Sequence, residues 1–452
     1  MTIELSHCNR LQEVMIVKTL KTLLFAMVVA MLASGLIAAA PQQTGPPQGY
    51  FDIPPGFDFP ASKQTLEQYR STGNLPAQRL HVWKVFAGMT QLSPDGKYPV
   101  FETWFSEDET FQTGPTPQGL APRRVLRRFR QPNQFRTPTG FEPQAAGSAL
   151  LSFVLYNFAA YNHIRNNRLH RVSQLEGFLQ SGTQDPKVPQ NRDIPAFPPQ
   201  AVSLKTVWWP VAKDKVTPMP IWDPDANPAK PGGNDYTTWA RVVAVDPTRT
   251  DIPPDAAGDI SFMGKMFAKS HTVGLSAFYH VVLDQQTASN AMQDPGIRRA
   301  AQIALGRGLQ AGDYTVLAGT HMTTKEIDDW VWATFWWHDR PSDGPFAADR
   351  PDLVKGVWRD YLMSDSFDLN LPREQDGRPH VAFNPWLEAR FRDGGNGAGV
   401  VSNCMNCHNR ASYPGVAFLP IYRGDPDLQK DPAFGVRRLR TDFLWSIPDQ
   451  SQ

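Results

Sequence analysis

The stretch Tyr314–His338, YTVLAGTHMTTKEIDDWVWATFWWH, decides how the chain is read. Its first part, Tyr314 to Met322, mixes β-branched, aromatic and small residues as a strand does. Thr323-Thr324-Lys325-Glu326 then has the form of a capping box, in which a threonine and a residue three positions on satisfy each other's helix-start donors. From that start the pattern predicts a helix through Trp330, Trp332, Trp336 and Trp337 to about His338. A strand feeding a helix beside further strand-like segments predicts an α+β fold.

Upstream, Val202 to Val211, Tyr236 to Val245 and Val273 to Leu283 are rich in β-branched and aromatic residues and are separated by turn signals. With a short helix near Gly296 to Leu305, they make residues 201–340 a β-rich region that ends in the tryptophan-rich helix. Residues 61–200 read as mainly helical. Helical patterning begins near Ser62, and Leu75 to Met89 has apolar positions at helical spacing. Ala145 to Leu179 is the longest helical candidate, strongly apolar over Leu150 to Leu155. Tyr98 to Phe105 alternates like a strand, and Gly182 to Gln200 is a Pro-rich connection. Downstream, residues 341–452 are loop-rich, with a short helix near Leu353 to Met363 and a glycine run over Gly394–Gly399. The 41 prolines and 33 glycines among 452 residues call for many loops and exclude a plain helical bundle.

The N-terminus reads as a targeting segment. Lys18 and Lys21 precede an apolar run from Leu23 to Ala40 that closes on Ala38-Ala39-Ala40, the small-residue pattern a signal peptidase cuts. Met15 is the expected start. Residues 1–40 are a signal peptide or a retained membrane anchor, since the run is nearly long enough to span a bilayer. Residues 41–60 form a Pro-rich linker. Export to the periplasm follows. The formal net charge of +1 gives no footprint for nucleic acid.

Of three cysteines, Cys8 lies in the N-terminal extension. The other two fall in one motif, Cys404-Met405-Asn406-Cys407-His408, the signature of c-type haem attachment. Two thiols at this spacing add across the two porphyrin vinyl groups, and the adjacent histidine supplies the proximal imidazole to iron. Zinc would need further thiols, which the chain beyond Cys8 lacks. A redox dithiol would carry no following histidine. The sequence therefore predicts one covalently attached haem c, held by Cys404 and Cys407 with His408 as iron ligand.

No histidine or methionine follows His408, so a ligand for the other face of the iron must come from upstream, or the iron is five-coordinate or binds water. The upstream candidates are His321, His338, His280, His271, His380, Met322 and Met363; Lys430 and Tyr422 are lesser options downstream. His321, with Met322 beside it, comes first because it ends a strand just before the capped helix. His338 has a plainer reading as a cation at a helix C-terminus. The four tryptophans read as core, or alternatively as an aromatic wall on the haem.

Trp83 to Phe86, then Pro99-Val100-Phe101-Glu102-Thr103-Trp104, then Lys325 with Trp330-Val331-Trp332-Ala333-Thr334-Phe335, then Asn403 to His408, together resemble a group of large bacterial single-haem proteins of the cytochrome c family, itself functionally unassigned. The resemblance covers most of the mature chain. It implies a periplasmic haem protein and supplies no reaction. His321 falls in a matching His-x-x-x-Lys segment, whereas Trp336-Trp337-His338 departs from the pattern. The expected function is periplasmic single-electron transfer to a redox partner protein. The alternatives are a haem enzyme, a peroxidase or oxygenase acting on a small molecule at an open iron, and a haem-based sensor. No local segment displays the histidine–arginine pair that peroxidases commonly set over the iron.

Overall fold

The computed structural model describes residues 45–115, 119–120, 127–131, 150–223, 236, 239–369, 371, 373, 380–388, 403–416 and 428–452. The targeting segment, the glycine run Gly394–Gly399 and Tyr422 lie outside them. Among the described residues no helix is long and apolar enough to cross a membrane. Pro46–Gln452 forms one compact unit. Within it the Pro-rich stretch docks on the body from Tyr50 onward: Tyr50 and Ile53 are buried, and the Phe51 amide donates to Thr103 Oγ1 at 3.0 Å.

The chain folds as α+β. Helix α1 (Lys63–Ser71) starts at Ser62, whose side chain accepts from the Thr65 amide, and α2 (Leu75–Met89) starts at Asn74 with a proline in its first turn. Tyr98 to Phe105 is not a strand: Val100–Thr103 is a 3₁₀ turn, and only Phe105–Ser106 (β1) pairs, before the short helix α3 (Glu107–Phe111). The Ala145–Leu179 helix is likewise corrected. Its apolar start is the strand β2 (Leu151–Tyr156), and helices α4 (Phe158–Asn166) and α5 (Val172–Ser181) follow. A run of five apolar and aromatic residues with one serine, buried but for Val154, has no clear period to distinguish strand from helix.

The connection after α5 holds two short strands, β3 (Thr183–Gln184) and β4 (Arg192–Asp193). The middle of the chain supplies β5 (Val202–Val211), β6 (Thr217–Ile221), β7 (Arg241–Asp246), β8 (Ala257–Phe262), β9 (Lys265–Gly274) and β10 (His280–Val282). Helices α6 (Gln285–Ala291) and α7 (Pro295–Leu305) come next, then β11 (Tyr314–Thr324). The tryptophan-rich segment is the strand β12 (Val331–Trp337), not a helix. All of its residues are buried, and it is paired on both sides, so the apparent helical spacing of its tryptophans reflects core on two faces. The supposed capping box is the β11–β12 hairpin loop, in which Thr324 Oγ1 donates to Glu326 Oε2 at 2.6 Å. The Leu353–Met363 helix is also corrected: a 3₁₀ turn over Gly356–Asp360 leads into β13 (Tyr361–Ser366). Helices α8 (Pro385–Glu388) and α9 (Cys404–His408), strands β14 (Ser412–Tyr413) and β15 (Leu439–Arg440), and helix α10 (Ser446–Gln450) complete the described chain.

The main sheet is antiparallel, in the order β1-β2-β5-β11-β12-β13, with β10 also on β11. A second sheet runs β6-β7-β9-β8. A third, β14-β15-β4-β3, ties the segment after the haem motif to the Pro-rich connection. Register settles what each face of the main sheet carries, because directly paired residues point the same way and successive ones alternate. One face presents Phe335, Met363 and Met322 and is covered by α2, where Phe86 stacks on Phe335 at 4.0 Å. The other presents Trp332, Thr334, His321, Lys205 and Ser366.

Candidate functional site

The Cys-x-x-Cys-His motif is one turn of helix, α9, opened by the Asn403 side chain, which accepts from the Asn406 amide. It is strapped to the end of β13. Asn403 Nδ2 donates to Asp368 O at 3.0 Å, Asn406 Nδ2 donates to Leu369 O at 3.2 Å, and Ser366 Oγ donates to Met405 Sδ at 3.2 Å. Helical geometry brings Cys404 and Cys407 together on one side, with His408 next to them. The His408 ring lies on Trp332 with centroids 4.3 Å apart, so the motif sits on the Trp332 face of the sheet.

His408 Nδ1 is 2.8 Å from Phe443 O. A carbonyl only accepts, so Nδ1 carries the proton and Nε2 keeps its lone pair, the tautomer a metal ligand requires. Burial drives the imidazole pKa down to about 3, opposed by the Phe443 bond and reinforced by His321 and Lys205, so the ring stays neutral. The Phe443 carbonyl is itself held in place. Asp442 accepts from Lys325 Nζ (2.6 Å), Trp330 Nε1 (3.1 Å) and the Phe197 amide (3.2 Å). Asp442 and Phe443 are both left-handed, with φ of 47° and 68°, a conformation that side-chain-bearing residues keep only when their surroundings enforce it.

The two thiols are unpaired with each other. Burial pushes Cys407 up to about 12 and Cys404 well above the usual thiol range, and the neighbouring Glu388 carboxylate adds to both. Reactive dithiols and zinc thiolates need the opposite, an electropositive setting that favours the anion. Neutral thioethers suit this site. Among the described residues no three His, Cys, Asp or Glu side chains converge as a metal-binding set.

Beside the motif the central strands of the sheet are less completely buried. Lys205 is the one residue of β5 that is not buried; Val154 is the one of β2; His321 is the one of β11 apart from its first residue. These three are register neighbours, Val154↔Lys205↔His321, on the face that carries the motif. The row lies near the motif: His321 and Lys205 act electrostatically on His408, and Glu388 acts on both thiols. His321 Nε2 is buried 3.1 Å from Glu388 Oε1 without an aligned hydrogen-bond partner. Glu388 is aimed there by α8, which Asn384 pins to the sheet through Thr334 Oγ1 (2.8 Å) and Phe335 O (3.1 Å). Burial lowers Lys205, opposed by Glu107, Glu388 and Asp449, and burial raises Glu107 to about 7 against Arg130 and Lys205.

No family model matches the chain, and no curated protein or solved structure is similar to it.

A neutral histidine whose Nδ1 donates to Phe443 O, and two neutral thiols on the same turn, fit a covalently attached haem. Of the other candidates, Met322 and Met363 lie on the opposite sheet face. His338 Nδ1 accepts from the Arg340 amide, His280 Nδ1 donates to Phe278 O, and His271 Nε2 donates to Pro254 O. His338 directly follows a strand, so the helix-terminus reading lapses. His380 adjoins the motif, its carbonyl accepting from Asn403, and Lys430 is exposed. Trp332 stands against His408, on the side of the aromatic-wall alternative, whereas Trp330 and Trp336 are core. Sequence reasoning passed over Lys205, Glu388 and Asp442. The signal for Lys205 was present: one lysine inside an otherwise apolar strand.

Proposed function

We propose that the chain is an exported mono-haem c-type cytochrome acting in periplasmic electron transfer. Cys404 and Cys407 would hold the haem and His408 would ligate its iron. The observation that carries this reading is the Nδ1–H of His408 donated to Phe443 O, which leaves Nε2 as the ligating atom beside two neutral thiols. The bound haem supplies one-electron redox chemistry. The chain's own residues orient the proximal imidazole, through Asp442 and Phe443, and keep water from it with Trp332. Electron transfer asks nothing more of the polypeptide than this and a surface for a redox partner protein. A second reading, a haem enzyme with an open distal side, is favoured by one specific observation. His321 turns Nε2 to Glu388 next to Lys205, as an acid–base group with an orienting carboxylate would.

The test is expression with export and haem-maturation machinery. Covalent haem should survive denaturation, give a c-type pyridine haemochrome, and disappear in Cys404→Ala/Cys407→Ala. A protein purified without covalent haem under those conditions refutes the assignment. A low-spin ferric spectrum unmoved by cyanide supports the carrier, and a high-spin one that binds cyanide supports the enzyme.

A further inference from the structure

We propose that His81 and Glu326 form a buried ionic latch that sets how firmly the His408 side of the Cys-x-x-Cys-His motif is held. The latch is closed while His81 is an imidazolium and opens when the ring loses its proton. The inference deepens the haem c reading by naming a regulation of the same site. It rests on that reading only for the quantity regulated, the potential of the iron.

Three observations converge. The first is the pair. His81 on α2 and Glu326 in the β11–β12 hairpin loop are each 2% exposed, and His81 Nε2 lies 3.0 Å from Glu326 Oε2. The other ring nitrogen, Nδ1, faces a second carboxylate, Asp58 Oδ2, at 3.8 Å. A ring with a carboxylate beside each nitrogen suits the doubly protonated, charged form. Lys84, also on α2, reaches Asp58 at 3.5 Å, and the chain after β13 brings the Phe367 ring edge-on at 6.2 Å. Burial pushes the His81 pKa down, and the two carboxylates outweigh it, to about 9. The second is what Glu326 gathers. Its Oε1 accepts from the Ala61 amide at 2.6 Å and its Oε2 from Thr324 Oγ1 at 2.6 Å. One carboxylate thus joins the N-terminal segment, α2 and the hairpin. A buried carboxylate that loses its cation partner is left with a large desolvation cost.

The third is what else the loop holds. The β11–β12 ladder ends at Thr324↔Val331, so the loop runs from Lys325 to Trp330. Lys325 Nζ and Trp330 Nε1 donate to Asp442, and Asp329 O accepts from Trp332 Nε1 at 3.0 Å. Trp330 is left-handed, at φ 62°, and fully buried, a backbone that only its surroundings enforce. Trp332 lies on His408, and Asp442 precedes the carbonyl that accepts from His408. Glu326 reaches α2 and its chain neighbour Lys325 reaches Asp442, so the loop does not yield at one without shifting the other. The latch therefore stays closed below about pH 9 and opens as pH rises through it. Opening loosens Phe443 O on His408 and raises the potential of the iron, whereas loss of a nearby cation by itself would lower it.

The test follows hydrogen exchange at the indole N–H groups by NMR of the mature protein as purified, and it reads the latch whether or not covalent haem is present. Protection of the Trp330 and Trp332 indoles should fall roughly tenfold between pH 7 and pH 10. Protection at Trp209, whose Nε1 donates to Pro218 O at 2.9 Å near the second sheet, should hold. In His81→Gln and Glu326→Gln, protection at Trp330 and Trp332 should already be low at pH 7 and flat with pH. The parent titration needs no variant, so poor folding of either one leaves the test intact. Unchanged protection at Trp330 and Trp332 overturns the proposal, and so does an equal loss at Trp209, which would mark a general loosening. In protein whose covalent haem is verified by pyridine haemochrome, the reduction potential should rise over the same window and stay flat in His81→Gln; a fall overturns the coupling to the iron. Absence of covalent haem defeats the underlying reading instead and leaves the exchange result standing.

Discussion

Asp442 is the residue whose removal should be felt furthest from its own position. In Asp442→Ala the Lys325 ammonium, the Trp330 indole and the Phe197 amide all lose their acceptor. Lys325 and Asp442 side chains are 9% and 13% exposed, so the pair is nearly buried, and breaking such a pair costs about 3–5 kcal/mol. The lower figure applies, because Lys325 Nζ keeps Asp328 O at 2.6 Å. With an m-value of about 3 kcal/mol per molar urea, the unfolding midpoint should fall by about 1 M. The clamp also holds the two left-handed residues that present Phe443 O to His408. Once it is released, the imidazole loses an acceptor that makes it a stronger donor, and with the proposed haem bound the ferric state would lose more than the ferrous. About 1 kcal/mol of that bond corresponds to a rise of about 40 mV in reduction potential. Urea unfolding followed by tryptophan fluorescence and a spectroelectrochemical titration measure both effects. Asp442→Gly should show the same rise in potential with a smaller loss of stability, since glycine accepts φ of 47° freely. An unchanged potential in both variants would refute the clamp, whatever happened to stability.

His81 gives a pH signature independent of the haem. Burial pushes its pKa down, but Asp58 and Glu326 outweigh that and hold it at about 9. A folded pKa above the unfolded value of about 6.5 means stability fully present below pH ~6.5 and lost as pH rises through about 9, amounting to ~3 kcal/mol at most. Urea midpoints measured from pH 6 to 10 should fall over that window and flatten in His81→Gln; a flat parent profile counts against it. Gly319→Val tests the placement of Glu388. A Cβ there would lie 3.0 Å from both Asn384 Nδ2 and Phe335 O, so the variant should lose about 1–3 kcal/mol and the Asn384 anchor. An unchanged urea midpoint in the variant would show that the Asn384 anchor does not hold α8 on the sheet.

The parts of the fold visible in the sequence are those with local causes. Ser62 and Asn74 cap their helices with their own side chains, and Pro295–Leu305 shows an amphipathic period between an Asp294 cap and a left-handed Gly306. The errors share one cause. Leu151–Tyr156 and Val331–Trp337 are central strands buried on both faces, so burial erased the alternation that marks a strand, and tertiary packing decided between two patterns that the residues equally allow. The Thr323–Glu326 box is not formed: Thr323 Oγ1 donates across the hairpin to Val331 O, and Thr324 takes the Glu326 carboxylate instead. At the site the same division holds. The Cys-x-x-Cys-His motif is contiguous, so the expectation of covalent haem rests on neighbouring residues alone. His321 was legible as a candidate, but its partners Lys205 and Glu388 come from a different strand and a different helix, and nothing in their own neighbourhoods announces the meeting.

That division bears on what so long a chain would add to a single attached haem. A short helical turn carrying two cysteines and a histidine can retain a haem by covalent bonds alone, so retention does not require the sheet. What the sheet adds is position. It fixes Trp332 under His408, holds Lys325 and Trp330 on Asp442 through one hairpin, and sets Lys205 against His321 through strand register. These are second-layer contacts on the proximal side and a polar row on the other, and each acts on what the iron does instead of on whether it stays.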